Sequence, residues 1–312
     1  MASQFVDLHT HSTASDGTCS PSDVVRLAHA AGLSGLALTD HDTVAGLPEA
    51  AAEAARLGLA FLPGIEISAI SPTPDGTLHI LGYGIDPVSP TLAQMTRTLV
   101  EARDTRNPRI IARLRDLGID ITLDEVLALA RNTQQAGAKR REQSDPSAAP
   151  DLPAPVIGRP HIAALLVKKG VVPTMKHAFD HYLGQGAKAY VDKERLSPRD
   201  AIAHIRQSGG VAVLAHPVQL RTTNDAHLEQ VLKDLTDLGL EGLEVLHSDH
   251  TPALTEKYSA LADKYALLKS GGSDFHGANK KDIPLGLANG RQIPRAWMDA
   301  ITDRATARKH TP

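Results

Sequence analysis

The residues of this chain that could do chemistry are histidines and carboxylates placed just beyond short apolar runs. His9-Thr10-His11 follows Phe5-Val6-Asp7-Leu8, His41 follows Gly35–Thr39, Glu66 lies at the end of Ala60–Ile67, and His79 lies in Leu78–Tyr83. Farther along, His216 ends Val211–Ala215, His247 ends Gly242–Leu246, and Asp274-Phe275-His276 comes shortly after Leu267–Ser270. Residues two apart on an extended strand share a face, which pairs His9 with His11 and Asp274 with His276. Imidazoles and carboxylates without a thiolate suit a hard or borderline divalent ion: Mn²⁺, Fe²⁺, Zn²⁺ and Mg²⁺ all remain open, with imidazole favouring the first three. One ion takes about four to six ligands. The set therefore suffices for two or three ions, with Glu66 suited to bridge. A lone His-x-His often occurs by chance; recurrence at successive strand ends is what gives the pattern meaning.

The elements that must position these residues alternate. The run at residues 5–8 leads to a helix begun by Ser20-Pro21, then a strand at 35–39, a helix at 47–57 and strands at 60–67 and 78–83. Helix-and-strand units resume at Ser197-Pro198, with strands at 211–215, 242–246 and 267–270 and a last short one near 285–288. About seven parallel strands with intervening helices predict an α/β fold, better closed into a TIM-like barrel than laid out as an open sheet. No Gly-x-Gly-x-x-Gly follows the first strand, so a dinucleotide fold lacks its main support. Residues 1–89 and 187–301 make up this discontinuous barrel, and residues 302–312 read as a frayed polar tail. Between them, residues 90–186 read as a helical insertion. Its helices are expected at Thr91–Asp104, from Asn107-Pro108 to Leu117, and at Leu123–Arg131, Arg159–Lys169 and Thr174–Leu183. The stretch 134–155, rich in Ala, Pro, Ser and Gln, reads as a mobile loop.

Composition narrows the function. A single cysteine, Cys19, excludes an internal disulfide and fits a reducing, cytoplasmic compartment. No apolar stretch approaches the roughly 20 residues of a membrane span, and the N-terminus lacks a secretory pattern. A net charge of −3 and 3 % aromatic residues argue against a general polyanion binder or a base-stacking platform. Nothing marks a stable protein partner. Of the fifteen histidines, those at strand ends need a chemical reason. His29, His204 and His227 fit ordinary helix surfaces, and the His177/His181 pair fits a solvated helix face better than a metal site.

Six motifs carry a family resemblance: Asp7-Leu8-His9-Thr10-His11-Ser12, Ser15-Asp16-Gly17, Thr39-Asp40-His41-Asp42, Gly64-Ile65-Glu66, Ala215-His216-Pro217 and Gly272-Ser273-Asp274-Phe275-His276-Gly277. In this order they resemble the PHP (polymerase and histidinol phosphatase) superfamily. The insertion and Gly158-Arg159-Pro160-His161-Ile162-Ala163 resemble its stand-alone phosphoesterases, the branch of 3′,5′-nucleotide bisphosphate phosphatases and 5′→3′ exoribonucleases. The resemblance implies a distorted (β/α)7 barrel around two or three metal ions. His9, His11, Glu66 and Asp274 would hold the first, Glu66, His79 and His216 the second, and Asp16, His41 and His276 the third. It further implies phosphoester hydrolysis by water activated between ions that share Glu66, with Glu66, His216 and Asp274 as the catalytic set. The substrate is then a small phosphorylated nucleotide, such as a 3′,5′-bisphosphate, or a short oligoribonucleotide.

Arg159 and His161 are candidate phosphate contacts from the insertion, with Lys188 and His247 as further substrate contacts. Gln185 departs from the family, which often has a basic residue there. Arg103, Arg106 and Arg113 fall near one face if their helix is continuous, though Pro108 predicts a break. Histidinol-phosphate phosphatase is an alternative on the same barrel, and the long insertion argues against it. A non-catalytic metal-binding module is a second, and the complete ligand set argues against that.

Overall fold

The computed structural model describes residues 4–144 and 156–309, without the side chains of 136–144. Nine strands form one sheet: β1 (Phe5–Asp7), β2 (Gly35–Leu38), β3 (Ala60–Ala69), β4 (Leu78–Tyr83), β5 (Val211–Leu214), β6 (Gly242–Leu246), β7 (Leu268–Gly271), β8 (Leu287–Ala288) and β9 (Arg291–Pro294). Their order is β7-β6-β5-β4-β3-β2-β1-β9-β8. Just beyond β1 and β7 the backbone nearly closes the ring: Leu8 N–H donates to Gly271 O (3.2 Å), Asp274 N–H donates to His9 O (2.9 Å), and Thr10 bridges Phe275. The result is a TIM-like α/β barrel.

Not every strand is parallel. β4 runs antiparallel to both β3 and β5. Only residues 70–77 join β3 to β4, fewer than the dozen or so that a parallel crossover needs. Because β4 is reversed, its beginning, not its end, reaches the rim where the other strands finish. His79 therefore stands opposite Ser68 near the end of β3.

Barrel helices α1 (Pro21–Ala30) and α2 (Leu47–Leu57) pack side by side outside β1–β3. Ser20 caps α1 by accepting from Asp23 N–H, and Gly58 ends α2 at φ 66°, a conformation glycine adopts without penalty. The insertion holds α3 (Pro90–Asp116), α4 (Leu123–Ser144), α5 (Arg159–Lys168), the short α6 (Met175–Ala178) and a π-helical turn at Phe179–Leu183. Ile110, Leu114, Val126, Ile162, Leu166, Leu183 and Val191 form an apolar cluster of their own. Two expectations are corrected here. α3 continues through Pro108, because buried Met95 and Leu99 before it and Ile110 and Leu114 after it anchor both halves. α4 extends past Arg131 to Ser144, so the first part of 134–155 is helical, while 145–155 lies outside the described residues.

After the insertion come α7 (Pro198–Gln207), α8 (Asp225–Asp237), α9 (Pro252–Lys264) and α10 (Arg295–Lys309), the first three capped by Ser197, Asn224 and Thr251. α10 replaces the expected frayed tail as far as Lys309. Its Met298, Ile301 and Ala305 join Val6, Leu62, Tyr83 and Val213 in the barrel's inner cluster, and Arg304 and Arg308 reach Glu241. A second apolar layer, including Ile65, Ile67 and Leu214, lies between sheet and helices. Among the described residues no helix is long and apolar enough to cross a membrane.

Candidate metal centre

Six of the nine strands deliver a donor to the same rim. His9 and His11 lie on the continuation of β1, and His41 follows β2 and bridges Glu66 of β3. His79 begins β4, His216 follows β5, and Asp274 and His276 follow β7. Asp16 comes from the loop between β1 and α1. Two buried carboxylates outside the donor set hold these loops. Asp40 accepts from Ser12 N–H, Ser12 Oγ and Ser15 Oγ, while Asp7 accepts from Ser273 N–H, Ser273 Oγ, Gly286 N–H and His9 N–H. Gly272 is obligatory, since a Cβ there would lie 2.3 Å from His9 Cβ. Asp42, His216 and Asp274 have positive φ angles of 57°, 23° and 59°. Such strain in residues with a Cβ clusters at functional sites.

All nine expected ligand residues are brought together. Glu66 Oε2 lies 3.3 Å from both His9 Nε2 and His11 Nε2 and 2.9 Å from His41 Nδ1. Its Oε1 lies 2.8 Å from His79 Nδ1 and 2.9 Å from His216 Nε2. Asp274 Oδ1 is 3.3 Å from His11 Nε2, and Asp16 Oδ1 is 3.3 Å from His276 Nε2. Donor atoms of His11, Asp16, His41 and His276 fall within 4.8 Å of one another, as do those of His9, His11 and Asp274, of His9, Glu66 and His216, and of His41, Glu66 and His79.

Burial raises the Glu66, Asp16 and Asp274 carboxyls, but the surrounding charges override it and hold all three well below the ordinary carboxylate range. The opposing charges are His41 and His79 for Glu66, His41 and His276 for Asp16, and Lys280 and His276 for Asp274. Burial lowers His276 and takes His79 down to about 4. The carboxylates overcome it at His9, which rises well above its usual value, and at His11, which reaches about 9. This negative focus draws cations, either protons onto imidazole or divalent ions in their place.

The donors fit divalent ions. His9 Nε2, both ring nitrogens of His11, His41 Nδ1 and Glu66 Oε2 are buried without a hydrogen-bond partner. Buried polar atoms are normally paired. Here they crowd together at contact distance, the arrangement expected of atoms that share lone pairs with a cation.

The rim opens into a cavity of about 300 Å³ whose wall includes Asp16, His41, Glu66, His79, His216, Asp274 and His276 from the barrel and Pro160, Met175, Lys176 and Phe179 from the insertion. The expected substrate contacts are more scattered. Arg159 is not a lining residue; its Nη1 donates to Leu183 O (3.0 Å), and its guanidinium lies 5.4 Å from the Tyr190 ring centroid and 6.0 Å from that of Phe179. His161 Nδ1 accepts from Gly158 N–H (3.0 Å), which turns the ring toward its own helix start. His247 is buried beside Asp274, its Nε2 3.4 Å from Oδ2. Lys188 is exposed. Three residues with a place at the site had no motif to mark them. Glu244 accepts from His9 Nδ1–H (2.9 Å), Lys280 pairs with Asp274 Oδ2, and Phe179 faces the cavity. Glu244 alone left a sequence signal, a carboxylate in the middle of an apolar strand.

The comparisons with known proteins agree with this geometry. The family model for the PHP domain matches residues 7–145. A 3′,5′-nucleoside bisphosphate phosphatase from Chromobacterium violaceum is 35 % identical over 280 residues, 89 % of this chain and 90 % of its own. The chain belongs to the PHP family. A 5′-3′ exoribonuclease from Haemophilus influenzae is 33 % identical over 86 % of this chain and 89 % of its own. A solved structure from Bifidobacterium adolescentis, described as a metal-dependent phosphoesterase, superposes with a TM-score of 0.80 at 33 % identity and covers 97 % of this chain and 96 % of that one. The protein is thus a PHP phosphoesterase, a hydrolase of phosphoric ester bonds.

Proposed function

We propose that this PHP phosphoesterase removes phosphate from small nucleotides, 3′,5′-bisphosphates foremost, and that short oligoribonucleotides are the second substrate class. The observation that carries the reading is the joint wall of the cavity, with nucleophile-activating donors on one side and an apolar, cationic insertion on the other. His9, His11, Glu66 and Asp274 would hold a first ion, Glu66, His79 and His216 a second, and Asp16, His41 and His276 a third, with Mn²⁺ favoured. Bound there, the ions supply Lewis acidity that activates water and neutralises phosphoryl charge.

The remaining steps belong to the chain. Glu66, the carboxylate central to the cluster, fixes where the attacking water must sit. Lys280, paired with Asp274 and lining the cavity, donates toward the phosphoryl oxygens as charge builds in the transition state. Pro160, Met175 and Phe179 offer the nucleobase an apolar face. Beside Pro160 stands a group of cations with few acids. Arg106 is 3 % exposed, among the described residues donates only to Asn107 Oδ1, and is brought down to about 9 by burial and by Arg103, Arg159 and Arg195. None of these guanidiniums lines the cavity, so their excess positive charge would favour a second anionic phosphate through its field and not by contact. A volume of about 300 Å³ is at the small end for ligand sites and suits a mononucleotide or one chain end.

The test is phosphate release with added Mn²⁺, Zn²⁺ or Mg²⁺ from 3′-phosphoadenosine 5′-phosphate, 5′-phosphorylated short RNA and histidinol phosphate. Preferred turnover of the bisphosphate supports the proposal. Preferred turnover of histidinol phosphate, or of none of the three, refutes it.

A further inference from the structure

Glu244 is a wholly buried carboxylate with two engagements at the rim, both to residues of the ligand set. Its Oε1 accepts from His9 Nδ1–H (2.9 Å), and its Oε2 accepts from the backbone N–H of His216 (2.7 Å). His216 stands at φ 23°, ψ 68°, a conformation that residues with a Cβ rarely adopt and that needs an external hold. When His9 Nδ1 carries the donated hydrogen, the lone pair of its ring lies on Nε2. That atom is buried without a hydrogen-bond partner, 3.3 Å from Glu66 Oε2 and 3.6 Å from Asp274 Oδ1. The other end of Glu244 fixes the backbone from which His216 reaches Glu66 Oε1. Asp16, His41 and His276 make no hydrogen bond or ion pair with Glu244 among the described residues.

We propose that Glu244 is a positioning residue that orients His9 and His216 together, so that one carboxylate sets the affinity of the first and second metal positions and leaves the third independent. This rests on the reading of the rim as a divalent-metal centre. Partners that orient metal-binding histidines typically matter by about 10- to 100-fold in affinity. Glu244→Gln removes the negative charge from both contacts and puts a non-accepting amide nitrogen at one of them, so one donor, His9 Nδ1–H or His216 N–H, loses its acceptor and the other loses its charge-assisted hydrogen bond. His247 also approaches this corner, and donor atoms of His9, Glu244 and His247 lie within 4.8 Å of one another. His9 Nδ1 cannot serve a hydrogen bond and an ion at once, so the two uses are exclusive.

The experiment titrates chelator-treated full-length protein with Mn²⁺, by calorimetry and by electron paramagnetic resonance, for wild type and Glu244→Gln. The expected result is two sites weakened about 10- to 100-fold and one unchanged. Equal affinities in the two proteins, or equal weakening of all sites, overturn the proposal. If Glu244→Gln does not fold, imidazole nitrogen NMR of the Zn²⁺-loaded wild type decides: His9 protonated at Nδ1 and metallated at Nε2 supports the proposal, and metallation at Nδ1 overturns it. Failure of the wild type itself to bind Mn²⁺ or Zn²⁺ overturns the metal reading instead.

Discussion

Asp42→Asn should loosen the attachment of the insertion to the barrel. The Asp42 carboxylate is wholly buried, and its Oδ2 accepts from Arg103 Nε (3.0 Å), Arg103 Nη2 (2.5 Å) and Lys193 Nζ (2.6 Å), while Oδ1 accepts from Ser68 N–H (2.9 Å). Arg103 comes from α3 and Lys193 from the segment returning to the barrel, so one carboxylate ties both ends of the insertion to the residue after His41. Asparagine keeps the shape and leaves two buried cations without their counter-charge. Breaking a buried pair from one side costs about 3–5 kcal/mol. With an unfolding entropy of about 2.1 cal/mol/K per residue, that lowers Tm by roughly 5–8 °C for this chain. The pH dependence gives a second check. Burial raises the Asp42 carboxyl, but Lys193 and Arg103 override it and hold it far below the ordinary carboxylate range. A depressed carboxyl stabilises the fold above its unfolded pKa of about 4 and loses that contribution as pH falls toward the folded value. Calorimetric scans of both proteins should show the Tm gap at its fullest near pH 5–6, where Lys193, brought down to about 7 by burial and by Arg103, is charged opposite Asp42, and narrowing below about pH 4. A gap under 1 °C at pH 6, or one that fails to narrow below pH 4, would refute the reasoning.

Three further outcomes bear on the site. His9→Ala and Asp274→Ala should each cut kcat on the best substrate by on the order of 10³-fold or more, since an ion's loss removes several kcal/mol of stabilisation; near-wild-type turnover with bound metal would defeat the assignment. Phe179→Ala should raise KM for a nucleotide roughly 5- to 150-fold, the equivalent of about 1–3 kcal/mol of base stacking, and leave KM for glycerol phosphate unchanged; equal shifts for both would rule out base contact. Lys280→Met should lower kcat/KM roughly 10- to 150-fold through loss of a charge-assisted hydrogen bond of about 1.5–3 kcal/mol. Unaltered kcat/KM would place Lys280 outside substrate contact.

The residues that were legible in the sequence share one property: local spacing fixes where they go. His9 and His11 follow an apolar run at an interval of two, and Asp274 and His276 repeat it, so a barrel rim collects them whatever the helices do. β4 was not legible as antiparallel, because strand direction depends on connection length and pairing, and Leu78–Tyr83 reads the same both ways. α10 was hidden by its polar surface, with only Met298, Ile301 and Ala305 facing the barrel. Arg159 exposes a different limit. Its motif was visible, but the motif does not reveal that Leu183 O, Tyr190 and Phe179 surround the guanidinium. Side-chain partners from distant segments become known only when the insertion has folded.

The division between barrel and insertion also explains why overall identity leaves the substrate open. The donors Asp16, Glu66, His79, His216, Asp274 and His276 stand on strand ends and rim loops, where a shift of an ångström would disturb several ions at once. Pro160, Met175, Lys176 and Phe179 stand on short insertion helices and line the cavity with the donors. Changes in the second group alter what the cavity accepts and leave the first intact. A bisphosphate phosphatase and an exoribonuclease can therefore resemble this chain almost equally, at 35 % and 33 % identity. On the proposed reading the few insertion residues at the wall would set substrate choice, and Asp42, adjacent to His41 and bonded to Arg103 and Lys193, ties the insertion to the rim that carries the donors.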